Sequence, residues 1–283
     1  MLASVGYGAQ GILAKFAYAG GADVPTVLAV RFGVASMLVW GLLFALPRDR
    51  RPALRQSIGT TLGFGALGLL FVTNALFYFL SLALLPASTA AVLVFVFPAL
   101  VVLWSVLFVG EKLTRLKVGA LGLALLGCVL TVDPVAALAI GASVSWLGVL
   151  WALGSALSNS WYVVLAGIVG RGKSPLAAAL YSLPVTAACF CGYLALSGGY
   201  PSGITTAGWL SCLGVGLLAG ISVYLYLIGV ARIGASRTAV VATTEPATAV
   251  ILGALLLAEP ITAVKLAGGA CIAAAVVLLS HSR

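Results

Sequence analysis

Ten stretches of roughly 20 apolar residues run through this chain, separated by short breaks of charged, Pro- or Gly-containing sequence. They lie near residues 1–19, 25–46, 58–80, 88–109, 115–132, 146–168, 175–195, 207–229, 236–257 and 261–280. A run of this length crosses the hydrocarbon core of a bilayer as one α-helix. The sequence is 63% hydrophobic and only 7% charged, whereas a soluble domain carries about a quarter charged residues. The expected class is therefore an all-α polytopic membrane protein with ten transmembrane helices and the lipid bilayer as its solvent.

The apolar sequence is also written twice. Residues 78–117 overlay residues 226–265 without a gap at an offset of 148: Tyr78 meets Tyr226, Ala87-Ser88 meets Ala235-Ser236, and Pro98-Ala99 meets Pro246-Ala247. Glu111, Thr114 and Lys117 fall on Glu259, Thr262 and Lys265. The division expected is two five-helix repeats, residues 1–133 and 134–283. Five spans per repeat is an odd number, so the second repeat must be inverted relative to the first.

Basic residues agree with inversion. The breaks after even-numbered runs hold Arg48, Arg50, Arg51 and Arg55, then Lys112, Arg115 and Lys117, then Arg171 and Lys173, then Arg232 and Arg237. The intervening breaks hold Asp23, Asp133 and Glu259, with Lys265 the basic exception. Positive-inside topology then places both termini in the cytoplasm of a multi-pass cell (inner) membrane protein. The net charge of +9 comes from those loops and does not point to nucleic acid. No basic n-region or small-residue cleavage site marks a cleaved leader, so the first run is expected to stay as a membrane helix.

Five cysteines lie in apolar surroundings and read as buried small hydrophobes; Cys189-Phe190-Cys191 lacks the second pair or histidine a metal site needs. The single histidine, His281, is near the C-terminus, which removes histidine chemistry from the membrane interior. No metal or cofactor is expected. Gly6, Gly8 and Gly11 fit GxGxxG but lie inside an apolar run with no preceding strand, so helix packing explains them better than a dinucleotide site. Gly59/Gly63 and Gly216/Gly220 fit GxxxG and are expected to mark close helix contacts within the monomer.

Each repeat carries an acidic turn followed by Leu/Ile-Thr: Gly110-Glu111-Lys112-Leu113-Thr114 and Ala258-Glu259-Pro260-Ile261-Thr262. With Glu245-Pro246 in run 9 and Arg31-Phe32 in run 2, the chain resembles an EamA-type member of the drug/metabolite transporter superfamily. That resemblance covers the whole chain. It implies a metabolite transporter, often an exporter of amino acids or related small molecules, with a central cavity between its halves.

Glu245 is the one deep acid, costly to ionise unless it faces a cavity or a partner. It is a candidate to bind a substrate ammonium or to carry a proton, the alternative being a paired carboxyl that bridges helices. Pro98 and Pro246 sit mid-run at repeat-equivalent positions, where each lacks an N–H and clashes with the carbonyl four residues back, those of Val94 and Ala242. They read as hinges, or as static kinks needed for packing. Arg31 lies deep enough to pair with Asp23, Glu245 or a substrate carboxylate, whereas Lys15 can snorkel to the interface. Gln10, Asn74, Tyr78, Asn159, Trp161, Tyr162, Tyr224 and Thr244 are the polar and aromatic candidates for cavity walls. Trp161, Tyr162 and Tyr78 also suit an interfacial aromatic belt.

These features fit a secondary transporter of a small amino-acid-like, amine or aromatic metabolite working by alternating access, with a proton as the candidate coupling ion. An uncoupled uniporter or a multidrug exporter of the same fold is the alternative. An intramembrane enzyme is the remote one, lacking HExxH, paired mid-span aspartates or a serine with a base. A functional monomer is the default, because both repeats lie in one chain.

Overall fold

The computed structural model describes residues 1–45, 56–84, 93–132, 145–257 and 262–280. Its helices are α1 (Leu2–Ala19), α2 (Val24–Ala45), α3 (Ile58–Leu84), α4 (Phe97–Val109), α5 (Arg115–Val132) and α6 (Trp146–Val169). They continue with α7 (Pro175–Leu196), α8 (Thr206–Ile233), α9 (Ala235–Ala242), α10 (Thr244–Leu257) and α11 (Ala263–Ser280). No strand occurs among the described residues, and the protein is a multi-pass membrane protein by its apolar helices. Five of them (α2, α3 from Ile58 to Tyr78, α6, α7 and α8) are long and apolar enough to cross a bilayer, while α4 and Leu266–Leu278 of α11 are shorter apolar pieces. The repeat is visible in the element bounds: α5 begins at 115 and ends at 132, α11 begins at 263 and ends at 280, each 148 later.

Local chemistry sets the helix ends. Asp23 Oδ1 accepts the Thr26 amide at 3.0 Å and so caps α2. Thr114 caps α5 by accepting the Lys117 amide on its hydroxyl at 3.3 Å. α7 starts on Pro175, placed where a missing N–H costs nothing.

The chain forms two compact units that cut across the sequence repeats: residues 2–72 with 165–232, and residues 73–164 with 233–283. In the first unit α2 packs along α7; in the second, α5 packs along α11 and α4 along α9. Each of these pairs joins helices from repeat-equivalent spans.

Small residues permit the close packing. A Cβ on Gly216 would stand 2.6 Å from Cβ of Val34, and one on Gly220 would stand 3.1 Å from the Ala35 Cα, so α8 lies directly on α2. A Cβ on Gly127 would stand 2.8 Å from the Gly268 carbonyl, so α5 and α11 meet nearly backbone to backbone. Of the other GxxxG pair, Gly63 meets Val169 while Gly59 faces open space. Large apolar side chains point outward instead, among them Met37, Leu62, Leu210 and Leu255. Lipid tails are as apolar as leucine, so helix association in a membrane rests on this close packing and on interhelical hydrogen bonds. The cysteines divide: Cys128 and Cys212 are buried, Cys271 is half-buried, and Cys189 and Cys191 are exposed on α7. The expectation that all five are buried fails for the last two, because α7 leaves that part of its surface uncovered. Cys191 Sγ still reaches the Ala29 carbonyl of α2 at 3.8 Å.

Candidate functional site

Among the described residues, two of the ten expected spans are interrupted in mid-course. In the fourth, residues 95–96 form a turn before α4 starts at Phe97; in the ninth, Thr243 separates α9 from α10. Residues 95 and 243 are 148 apart, and each precedes its proline, Pro98 or Pro246, by three positions. The cause is local. A proline cannot donate to the carbonyl four residues back and its ring crowds that carbonyl, so the helix stops and restarts with proline in the new first turn, where no donor is required. Pro98 accordingly lies in the first turn of α4, and Pro246 in that of α10.

At the second interruption threonine hydroxyls bond to nearby carbonyls, two of them at the end of α9. Thr243 Oγ1 donates to the Val240 carbonyl at 2.7 Å, Thr244 Oγ1 to the Val241 carbonyl at 2.9 Å, and Thr248 Oγ1 to the Thr244 carbonyl at 3.0 Å. The Thr244 hydroxyl is thus committed to backbone. Glu245 comes next, half-buried in the first turn of α10, where unpaired amides suit an acidic side chain. It lies within electrostatic reach of the buried Cys128 on α5.

The same unit holds Asn74, Tyr78, Asn159, Trp161 and Tyr162. Asn74 Nδ2 donates to the Ser155 carbonyl at 3.0 Å and to its Oγ at 3.2 Å, and Ser155 Oγ donates to the Asn74 carbonyl at 3.1 Å. Asn74 therefore ties α3 to α6. Phe77 and Trp151, with centroids 5.0 Å apart, extend that seam. Trp161 stacks on Trp104 at 5.1 Å and meets Phe108 at 5.3 Å, while Trp104 Nε1 donates to Ser160 Oγ at 3.0 Å. Tyr162 is buried, Asn159 is half-buried, and Tyr78 is half-buried with its carbonyl taken by the Ser81 hydroxyl.

Gln10, Arg31 and Tyr224 belong to the other unit. Gln10 is 5% exposed; its Nε2 donates to the Gly6 carbonyl at 3.3 Å, and its Oε1 has no hydrogen-bond partner among the described residues. On α1 and α8, Tyr7 and Tyr226 meet edge to face at 6.4 Å. Arg31 places its guanidinium 5.1 Å above the Phe32 ring, and Phe32 in turn stacks on Phe190 at 5.4 Å. Tyr224 is half-buried.

Sequence reading passed over two features. Trp104 and Ser160 form a cross-helix hydrogen bond that only tertiary structure pairs. Gly167 to Ser174 also fits GxxxxGK[ST], the phosphate-cradling pattern. Here Gly167 lies inside α6, not after a strand. The amides of Gly170, Arg171 and Lys173 donate to the carbonyls of Ala166, Ile168 and Gly170. Those amides close a helix and a turn, so they do not form a phosphate cradle.

The profile of the EamA-like transporter family matches this chain twice, over residues 1–133 and 146–281. The chain belongs to the EamA-like transporter family. An uncharacterised transporter from Archaeoglobus fulgidus is 28% identical over 242 residues, covering 85% of this chain and 83% of that protein. A crystal structure at 23% identity shares the fold, with a TM-score of 0.82 over 98% of this chain and 93% of the other. Membership in the EamA-like family accounts for the two-repeat helical architecture and makes this protein a membrane transporter.

Proposed function

We propose that this EamA-like protein is a secondary transporter that moves a small metabolite, an amino acid or related amine or aromatic compound, across the cytoplasmic membrane by alternating access, with export as its net direction. The observation that carries the reading is the matched pair of interruptions at residues 95–96 and 243. An interrupted helix bends at one place, and two such helices from inverted repeats can bend in turn to open opposite faces. The Glu245 carboxyl beside one bend supplies the charge for an ammonium group or a proton. In the other unit, taken by itself, buried Gln10 offers an acceptor and Tyr7 with Tyr226 offers aromatic faces. The basic breaks support cytoplasmic termini.

The test is flux of a labelled amino-acid panel in proteoliposomes, with and without an inward-acid pH gradient, for wild type and Glu245→Gln. Saturable, gradient-sensitive flux that Gln abolishes supports a proton-linked carrier centred on Glu245. Flux that Gln leaves intact in rate and pH dependence makes Glu245 structural and favours an uncoupled uniporter. If no amino acid moves, the amino-acid assignment fails and the amines and aromatic compounds are the next panel.

A further inference from the structure

α4 is capped by Gly110, whose φ of 72° turns the chain sharply, and the Glu111 amide donates to the Ser105 carbonyl at 3.1 Å. That turn sets the Glu111 carboxylate between two elements. Oε1 accepts from Lys117 Nζ on α5 at 2.6 Å. Oε2 accepts from Oγ of Ser236, a buried residue in the first turn of α9. Lys117 Nζ also donates to the Lys112 carbonyl at 3.3 Å.

This is not a solvated surface pair. The Lys117 side chain is 11% exposed and that of Glu111 is 25% exposed, and the carboxylate sits at the amide-bearing start of α9. Nor is the arrangement a chance of one loop. The sequence carries Ser88, Glu259, Thr262 and Lys265 at the positions 148 away from Ser236, Glu111, Thr114 and Lys117.

The contact joins the two repeats: Glu111 and Lys117 flank the α4–α5 turn, whereas Ser236 begins α9. If α9 leaves α4, the Ser236–Glu111 hydrogen bond breaks. The Glu111–Lys117 pair travels together, so no half-buried charge is left unpaired, the situation that makes buried ion pairs costly to open.

We propose that Glu111, Lys117 and Ser236 form a lock that holds the basic end of the α4–α9 pair shut and releases once per transport cycle. The proposal rests on the alternating-access reading above. The three residues position helices and have no substrate to hold. One charge-assisted hydrogen bond suits the task, strong enough to bias two states and weak enough to be broken at each turnover.

The test is hydrogen–deuterium exchange of the full-length protein in lipid nanodiscs, without substrate. Ser236→Ala and Glu111→Gln are each expected to speed exchange of the α9 amides about tenfold, the effect of losing one charge-assisted hydrogen bond. Exchange at the C-terminal end of α10 should slow, because opening one end closes the other. Ser236→Thr, which keeps the hydroxyl, should match wild type, and the double variant should not exceed Glu111→Gln, which already loses the charge of that bond together with the Lys117 pair. Unchanged α9 exchange in both single variants overturns the lock. So does faster exchange at both ends, or a multiplied effect in the double variant, since those mark plain loosening. Because no substrate is present, the result is separable from the flux assay: a failed amino-acid panel leaves it standing, and intact flux does not rescue it.

Discussion

Replacing Asn74 by Ala should weaken the fold through a specific set of hydrogen bonds to Ser155. Asn74→Ala removes the two bonds donated by Nδ2, to the Ser155 carbonyl and to its Oγ. Ser155→Ala removes the Nδ2–Oγ bond and the bond from Oγ to the Asn74 carbonyl. An interhelical hydrogen bond in a membrane protein averages about 0.6 kcal/mol, so each single change should cost about 1.2 kcal/mol. The double variant loses three bonds, one of them shared, and should cost about 1.8 kcal/mol. The cycle thus isolates the shared bond as a coupling of about 0.6 kcal/mol, with both singles summing to more than the double. Equilibrium unfolding in mixed detergent micelles, followed by tryptophan fluorescence, measures all four proteins. The reasoning is refuted if Asn74→Ala unfolds within about 0.3 kcal/mol of wild type while substrate flux falls, for Asn74 would then serve the substrate and not the α3–α6 seam.

Other consequences are open to the same assays. Gly216→Leu forces a side chain into Val34 and should cost about 1–3 kcal/mol, whereas Gly59→Ala, with nothing within 4 Å of its Cβ, should change stability by no more than about 1 kcal/mol and in the stabilising direction. Trp104→Phe keeps the stack on Trp161 but loses the bond to Ser160, about 1 kcal/mol, while Trp104→Ala should cost about 3 kcal/mol or more. Pro246→Ala restores an N–H for the Ala242 carbonyl; it should slow amide exchange at Thr243 and raise thermal stability while flux declines, the opposite of an ordinary loss of packing.

The helices were legible because each apolar run must satisfy its own backbone within lipid, a constraint that acts residue by residue. The same holds for the interruptions: Pro98 and Pro246 stop a helix by their own covalent geometry. The wall candidates were read less completely. Asn74 and Trp161 are conspicuous as polar and aromatic residues in apolar sequence, but nothing local tells whether such a side chain meets substrate or another helix. Ser155 sits 81 positions from Asn74 and Ser160 56 positions from Trp104, separations at which sequence carries no spacing rule. Cys189 and Cys191 misled for the related reason that a uniformly apolar helix has no polar face to mark which side packs; α7 buries one side and exposes the other.

By itself, then, the sequence determined the consequences of length, hydropathy and repetition: helices that cross a bilayer, their number and ends, a duplicated unit, and the places where two helices break. Tertiary structure alone decided which faces meet. It set α2 against α7 and α5 against α11, bound Asn74 to Ser155, and brought Glu111 to Ser236 across 125 positions. Hydropathy acts through the solvent and is fixed residue by residue, whereas a hydrogen bond or a close helix crossing needs two particular surfaces at contact distance, and only the folded chain supplies the second.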